Sequence, residues 1–200
     1  MKKSVIAVLF VSVLSGCISF LPEPEAPDGF YRFSEVLTGE TLSVDHTVLV
    51  RRPEAPKHLA GSDIVAKDDR GTLTVIRRAS WADNMPRLLQ MSVLDFVNSE
   101  GRGSALLPQT GTRPDFELVW RISSFQLEGR RAVVQGELTL LDGTTRNPVR
   151  QKTLRSVQDA TGDSVSARVQ ALRTAGKDFA GQAAHFLAQS MDTEGAPGAD

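Results

Sequence analysis

Cys17 is the only cysteine in the 200 residues, and it follows Leu14-Ser15-Gly16. A thiol placed directly behind two small residues, at the end of a short apolar run, fits the chemistry of bacterial lipoprotein processing. The thiol becomes a thioether to diacylglycerol, the chain is cut before the cysteine, and the freed amine takes a further acyl chain of the palmitate kind. Lys2 and Lys3 supply the basic start and Val5 to Leu14 the hydrophobic stretch of a secretory signal. That stretch is about half of the roughly 20 residues needed to span a bilayer, so it reads as a cleaved leader and not as a span. An ordinary signal peptide that happens to contain a cysteine is the bland alternative. Ile18 stands where many enterobacteria-like systems place the aspartate that keeps lipoproteins in the inner membrane. Lipidation at Cys17, sorting to the outer membrane and a periplasmic orientation are therefore expected. Two or three acyl chains suffice for stable anchoring where one does not.

No other residues form a reactive set. His46, His58 and His185 lie far apart, with no H-x-x-x-H or H-E-x-x-H pattern, and no second thiol is present to complete a zinc site. The serines offer no G-x-S-x-G elbow, and Gly101-Arg102-Gly103 lacks the lysine and spacing of a phosphate loop. Asp68 and Asp69 are adjacent carboxylates, but Arg70-Gly71 behind them makes a solvated turn the simpler explanation. Arg51-Arg52 and Arg77-Arg78 are basic pairs at strand ends, suited to solvent first and to anionic lipid or an acidic partner second. No catalytic residue, metal or cofactor is expected, and the chain reads as a non-enzyme.

The elements that would carry these residues start after a tether. Leu21 to Gly29 holds three prolines and three acids, a composition that stays extended and cannot bury a core. Phe30-Tyr31-Arg32-Phe33 is then a short aromatic strand, and Thr41 to Arg52 a second strand ended by Pro53 and Pro56. Ile64-Val65 and Thr72 to Ala79 form a hairpin across the turn at Asp68–Gly71. A helix starts at Asp83 or Asn84, with Pro86 in its first turn and Leu88, Leu89, Val93, Phe96 and Val97 at helical spacing. After a loop through Gly101, Gly103 and Pro108 comes a long strand from Phe116. Its apolar phase flips beyond Ser123-Ser124, which demands a bulge if Phe125 and Leu127 are to stay on the same face. Ala132 to Leu141 and Pro148 to Val157 complete a run of hairpins, the last as an edge strand. A helix from about Ser164 to Ser190 repeats apolar residues at alternating spacings of four and three, the pattern of a coiled-coil seam or of one helix lying on a sheet.

The expected fold is thus α/β in the loose sense, close to α+β. It is a single domain with six or seven strands in a mixed, largely antiparallel sheet and two main helices packed on it. The expected organisation is a leader over residues 1–16, a lipidated cysteine and tether over 17–28, a domain over 29–191 and a disordered tail over 192–200. Removing residues 1–16 takes away two lysines and no acids, so 21 basic against 24 acidic side chains leave a mature charge of −3. Nothing in that balance marks a nucleic-acid partner.

The sharpest stretch in the chain is Trp81-Ala82-Asp83-Asn84-Met85-Pro86-Arg87-Leu88-Leu89-Gln90. It resembles the ABC-type transport auxiliary lipoprotein family, the PqiC-like proteins. The lipobox, the aromatic first strand, the strand end at Val48-Leu49-Val50-Arg51-Arg52-Pro53, Ile64-Val65, Leu73-Thr74-Val75 and Asp115-Phe116-Glu117-Leu118 add to the likeness. The resemblance implies a periplasm-facing lipoprotein that works with an inner-membrane ABC permease, its ATPase and an MCE-domain protein in moving lipid for envelope integrity. It implies Trp81, Asp83 and Pro86 as structural signature residues and no enzymatic activity. A homo-oligomer built on the exposed edge strand is a further possibility. The other readings open at this stage are a structural envelope lipoprotein without a transporter and, more remotely, an anchored periplasmic hydrolase.

Overall fold

The computed structural model describes residues 26–33, 46–99 and 105–194. Its elements run β1 (Gly29–Tyr31), β2 (Val48–Val50), β3 (Asp63–Lys67), β4 (Leu73–Trp81), α1 (Met85–Asn98), β5 (Ala105–Leu106), β6 (Phe116–Glu128), β7 (Arg131–Asp142), β8 (Pro148–Asp159) and α2 (Val165–Glu194).

Everything is hung on β6. On one side it pairs antiparallel with β7 along its whole length, and β7 pairs antiparallel with β8. Gly129, at φ +61°, makes the tight turn between β6 and β7 possible. On its other side β6 is shared by two branches. Val48–Val50 run parallel to Phe116–Leu118, and Val65–Lys67 run parallel to Gln126–Glu128. The chain between β2 and the next turn fills the fork: Arg51 and Glu54 donate backbone N–H groups to Leu118 (3.1 Å) and Trp120 (3.0 Å), and Ile122 donates back to Glu54 (2.8 Å). β5 extends the first branch, and β4 followed by β1 extends the second. Among the described residues the result is one mixed eight-stranded sheet in which the long ladders are antiparallel.

The phase flip in β6 is resolved by a bulge. Ile122 faces Gly136 across the ladder and Ser124 faces Gln135, so one extra residue sits on β6. Leu118, Trp120, Ile122, Phe125 and Leu127 are thereby all buried, as are Ala132, Val134, Leu138 and Leu140 on β7. Each leucine, isoleucine, valine or phenylalanine among them withdrawn from water is worth about 1.5–3 kcal/mol. What covers them is α2, whose Phe179 ring lies parallel to the Trp120 indole at 6.4 Å. Two glycines set the closeness of this contact. A Cβ on Gly136 would stand 3.0 Å from the Phe179 ring, and one on Gly176 would stand 3.1 Å from Phe125. The long helix therefore lies on the sheet, and its four-three spacing is no coiled-coil seam. α1 packs beside it, with Phe96 against Gly181 and Gln90 donating its side-chain N–H to the Val50 carbonyl at 2.8 Å.

Among the described residues eight strands are present where six or seven were expected. The additional one, β5, is two residues long and exists because β2 offers it a parallel edge, a partner far away in sequence. Within the expected second strand only Val48–Val50 is described as strand, and all three residues are buried, since β2 is flanked on both sides. α2 continues to Glu194, beyond the expected end near Ser190.

Candidate functional site

The corner Trp81–Pro86 is assembled from three elements. Trp81 closes β4 and donates its backbone N–H to Ser62 at 2.8 Å, while Ala82 donates to Tyr31 at the end of β1. The indole is buried and meets Phe33 (4.9 Å) and Phe125 (5.6 Å) edge to face. Asn84, in extended conformation, is the N-cap of α1: its side-chain oxygen accepts from the Arg87 N–H at 3.1 Å. Asp83 takes the other role, accepting from the Asn84 backbone N–H (2.7 Å) and side chain (3.0 Å) and pairing with Arg87 one turn on at 3.2 Å. Pro86 is buried in the first turn, where its missing N–H leaves nothing unpaired. The signature residues are thus brought together, and what they build is a rigid junction of sheet and helix. Every polar atom named here has a partner within the junction, so the corner positions the fold.

The second candidate is the sheet face turned away from the helices. Here Glu117 is almost fully buried, and its two carboxylate oxygens are taken by Arg51, from the end of β2, and Arg146, from the β7–β8 turn. Arg146 reaches it from a left-handed backbone conformation, φ +64°. Both guanidiniums are about half exposed, so this buried carboxylate is held by cations that remain partly hydrated. Beside it lies a shallow depression of about 290 Å³ lined by Glu54, Val119, Trp120, Arg121, Glu137, Thr139 and Gln151. Within it Arg121 pairs with Glu137 at 3.1 Å, and Gln151 also donates to Glu137. This surface ends at β8, which pairs only with β7 among the described residues and carries Arg150, Lys152 and Arg155 exposed. The face is polar, and one edge of β8 has no strand partner among the described residues.

Where β2 meets β6, Asp115 is tied to Thr47. The Thr47 hydroxyl (2.7 Å) and backbone N–H (2.8 Å) both donate to its carboxylate. Those bonds, the hydroxyl first, hold its carboxyl below the usual carboxylate range, with the charge of nearby His46 helping. In the β7–β8 turn Asp142 is lowered likewise by the Thr145 N–H and hydroxyl and the Thr144 N–H.

The remaining sequence candidates are dispersed. His46 stands edge-on to Phe116, His58 is exposed in a short 3-10 turn, and His185 contacts Gln189 at 2.8 Å. Among the described residues no three His, Cys, Asp or Glu side chains are placed to hold a metal. Asp68 organises its turn, accepting from the Arg70 and Thr72 N–H groups, and Asp69 is exposed. Of the two basic pairs, Arg51 is held by Glu117 and Arg78 by Asp28 at 2.8 Å, whereas Arg52 and Arg77 are exposed. Cys17 lies outside the described residues. Glu117 was missed as a functional candidate, because a glutamate between Phe116 and Leu118 reads as the solvent side of an alternating strand.

Comparison with known proteins adds the following. The model of the family described as ABC-type transport auxiliary lipoprotein component matches residues 34–184. No curated protein matches the chain. Among solved structures, protein XCC0632 from Xanthomonas campestris, of the DUF330 family, is similar at a TM-score of 0.71 with 18% identity, covering 78% of this chain and 92% of that one. An uncharacterised protein is similar at a TM-score of 0.63 with 14% identity, covering 82% and 99%. At these identities the two structures share the fold.

Proposed function

The chain belongs to the ABC-type transport auxiliary lipoprotein component family, and from that premise we propose that it is the lipid-anchored docking subunit of an MCE-type ABC lipid transport system. The observation that carries this reading is the family match across residues 34–184, joined to the lipobox ending at Cys17. Cys17 fixes the protein to the outer membrane with the domain facing the periplasm, and the proline-rich segment gives it reach. The domain then binds the MCE-domain protein and, through it, the inner-membrane permease and ATPase. Binding is the mechanism, and the family is one of transport components, not of enzymes. The helix-free face between Glu117 and β8 is the docking surface of this reading, and the β8 edge serves a second copy of the chain if the subunit forms a homo-oligomer.

Deleting the gene and restoring it as wild type or as Cys17→Ala tests the proposal, with phospholipid movement between the two membranes as the readout. Transport lost on deletion and restored only by the lipidated form supports an anchored transporter subunit. Unchanged lipid movement in the deletion strain would leave the structural-lipoprotein reading in its place.

A further inference from the structure

We propose that the β1–β4 edge of the sheet rests on the phospholipid surface to which Cys17 is anchored, with Phe30, Leu73 and Val75 entering the lipid interface. Strand pairing fixes the direction of all three side chains. Tyr31 and Trp81 are paired and pack on the core, so Phe30, one residue earlier on β1, points to the helix-free side. Val75 pairs with Val65, which pairs in turn with Gln126, whereas the neighbouring Ala66 pairs with the core residue Leu127. Leu73 and Val75 therefore stand on the same helix-free side as Phe30. Phe30 is 69% exposed, Leu73 41% and Val75 52%. Five large apolar side chains are exposed among the described residues, and these three share one edge of the sheet. Apolar groups gathered at one edge mark a contact site, where scattered single ones do not.

The chain outside the structure, and the place where it ends, point to a bilayer as the occupant. Cys17 stands nine residues before Ala26, where the described chain begins, and nine residues reach at most about 30 Å. A domain of this length is about 40 Å across. The end held nearest the membrane is therefore the one at which the chain enters, four residues before Phe30. That entry point is fastened to β4: Asp28 pairs with the Arg78 guanidinium at 2.8 Å and donates its backbone N–H to the Arg78 carbonyl at 2.8 Å. The chemistry of the edge also fits. A phenylalanine with two aliphatic neighbours suits the boundary between headgroups and acyl chains. Arg32, Arg70 and Arg77 are exposed around them, with apolar stems to lie along the surface and guanidiniums to donate to lipid phosphates. Asp63 and Asp69, exposed in the same region, offset much of that charge, so the contact is carried by the apolar side chains and depends only weakly on salt. The inference rests on the anchoring of Cys17 and is independent of which transporter the domain serves.

The test uses the protein extracted from membranes, with the acyl chains on Cys17 verified by mass, and reconstituted into vesicles of phosphatidylethanolamine and phosphatidylglycerol. Because acylation consumes the only native thiol, Phe30→Cys, Val75→Cys and, as control at the start of α2, Val165→Cys each supply one free thiol for a fluorophore. All three positions are exposed, so the labels leave the core intact. Brominated acyl chains should quench the labels at Phe30→Cys and Val75→Cys at least about twice as strongly as the label at Val165→Cys, and aqueous iodide should show the opposite order. Raising the salt should leave that pattern unchanged. Equal bromine quenching at the three positions, with iodide reaching all of them, would overturn the proposal by placing the edge in water. Protection from iodide without bromine quenching would also overturn it, since a protein, whether a second copy or another partner, would then cover the edge. Either result in an acylated protein leaves the anchored reading standing, whereas a Cys17 found without acyl chains removes that reading and this proposal together.

Discussion

The most consequential side chain on the helix-free face is Glu117, a buried carboxylate gripped by arginines from two different elements. Removing one arginine leaves the other in place, so Arg51→Ala and Arg146→Ala should each cost about 1 kcal/mol in urea unfolding. The double variant strands the charge and should cost clearly more than the sum, on the order of 3 kcal/mol or above. Simple additivity would show that the two contacts are independent and that the carboxylate is not the shared element. At the α1 corner, Asn84→Ala should cost about 1 kcal/mol as the lost cap, and Asp83→Ala a few tenths. The reverse order would assign the cap to Asp83. Asp115 gives a pH signature. Its folded pKa lies below its unfolded one, so the stabilisation is complete above the ordinary aspartate value near 3.9 and is lost as pH falls through the lower folded value. Thr47→Val should therefore flatten the acid limb of the stability curve below about pH 4. An unchanged limb would remove Asp115 from the acid response. At this scale the sequence was half legible: it offered Asp83 and Asn84 as caps without choosing, since the choice depends on which side chain reaches the Arg87 N–H.

At the scale of elements, the bulge at Ser123 and the two close-contact glycines decide how α2 meets the sheet. Deleting Ser123 removes the extra residue, puts Phe125 and Leu127 in regular alternation with Ile122 on the buried face and should leave unfolding cooperative. Inserting one residue after Ser124 should instead turn both to the other face and abolish cooperative unfolding, because a one-residue slip inverts every side chain after it. Gly136→Val should cost about 1–3 kcal/mol by driving a branched side chain into Phe179 and Ile122. A neutral result in a thermal melt would mean that α2 can lift without loss. The bulge was readable in advance from the switch between Ile122 and Phe125, as were both helices and the β3–β4, β6–β7 and β7–β8 hairpins, all of which rest on local spacing and turn residues. The fork was not. β2, β3 and β5 attach in parallel to strands far away in the chain, and no local pattern encodes a distant parallel edge.

For the whole molecule, the account holds that a folded domain binds the transporter and that the lipid on Cys17 only sets where this happens. At the start of the sheet Asp28 is clamped by Arg78, and Phe33 is plugged into the aromatic cluster around Trp81. At this level the sequence speaks through composition, in an apolar run, a lone cysteine and a proline-rich stretch, whereas the polar sheet face appears only when β6, β7 and β8 are laid side by side. The most direct measurement is affinity co-purification from envelopes of the native host, with wild type and Cys17→Ala in parallel and the retained proteins identified by mass spectrometry. The account predicts that an MCE-domain protein and its permease are recovered with wild type, and that the contact survives in the soluble variant. Recovery of no transporter component by either form, with the wild type still in the outer-membrane fraction, would contradict it.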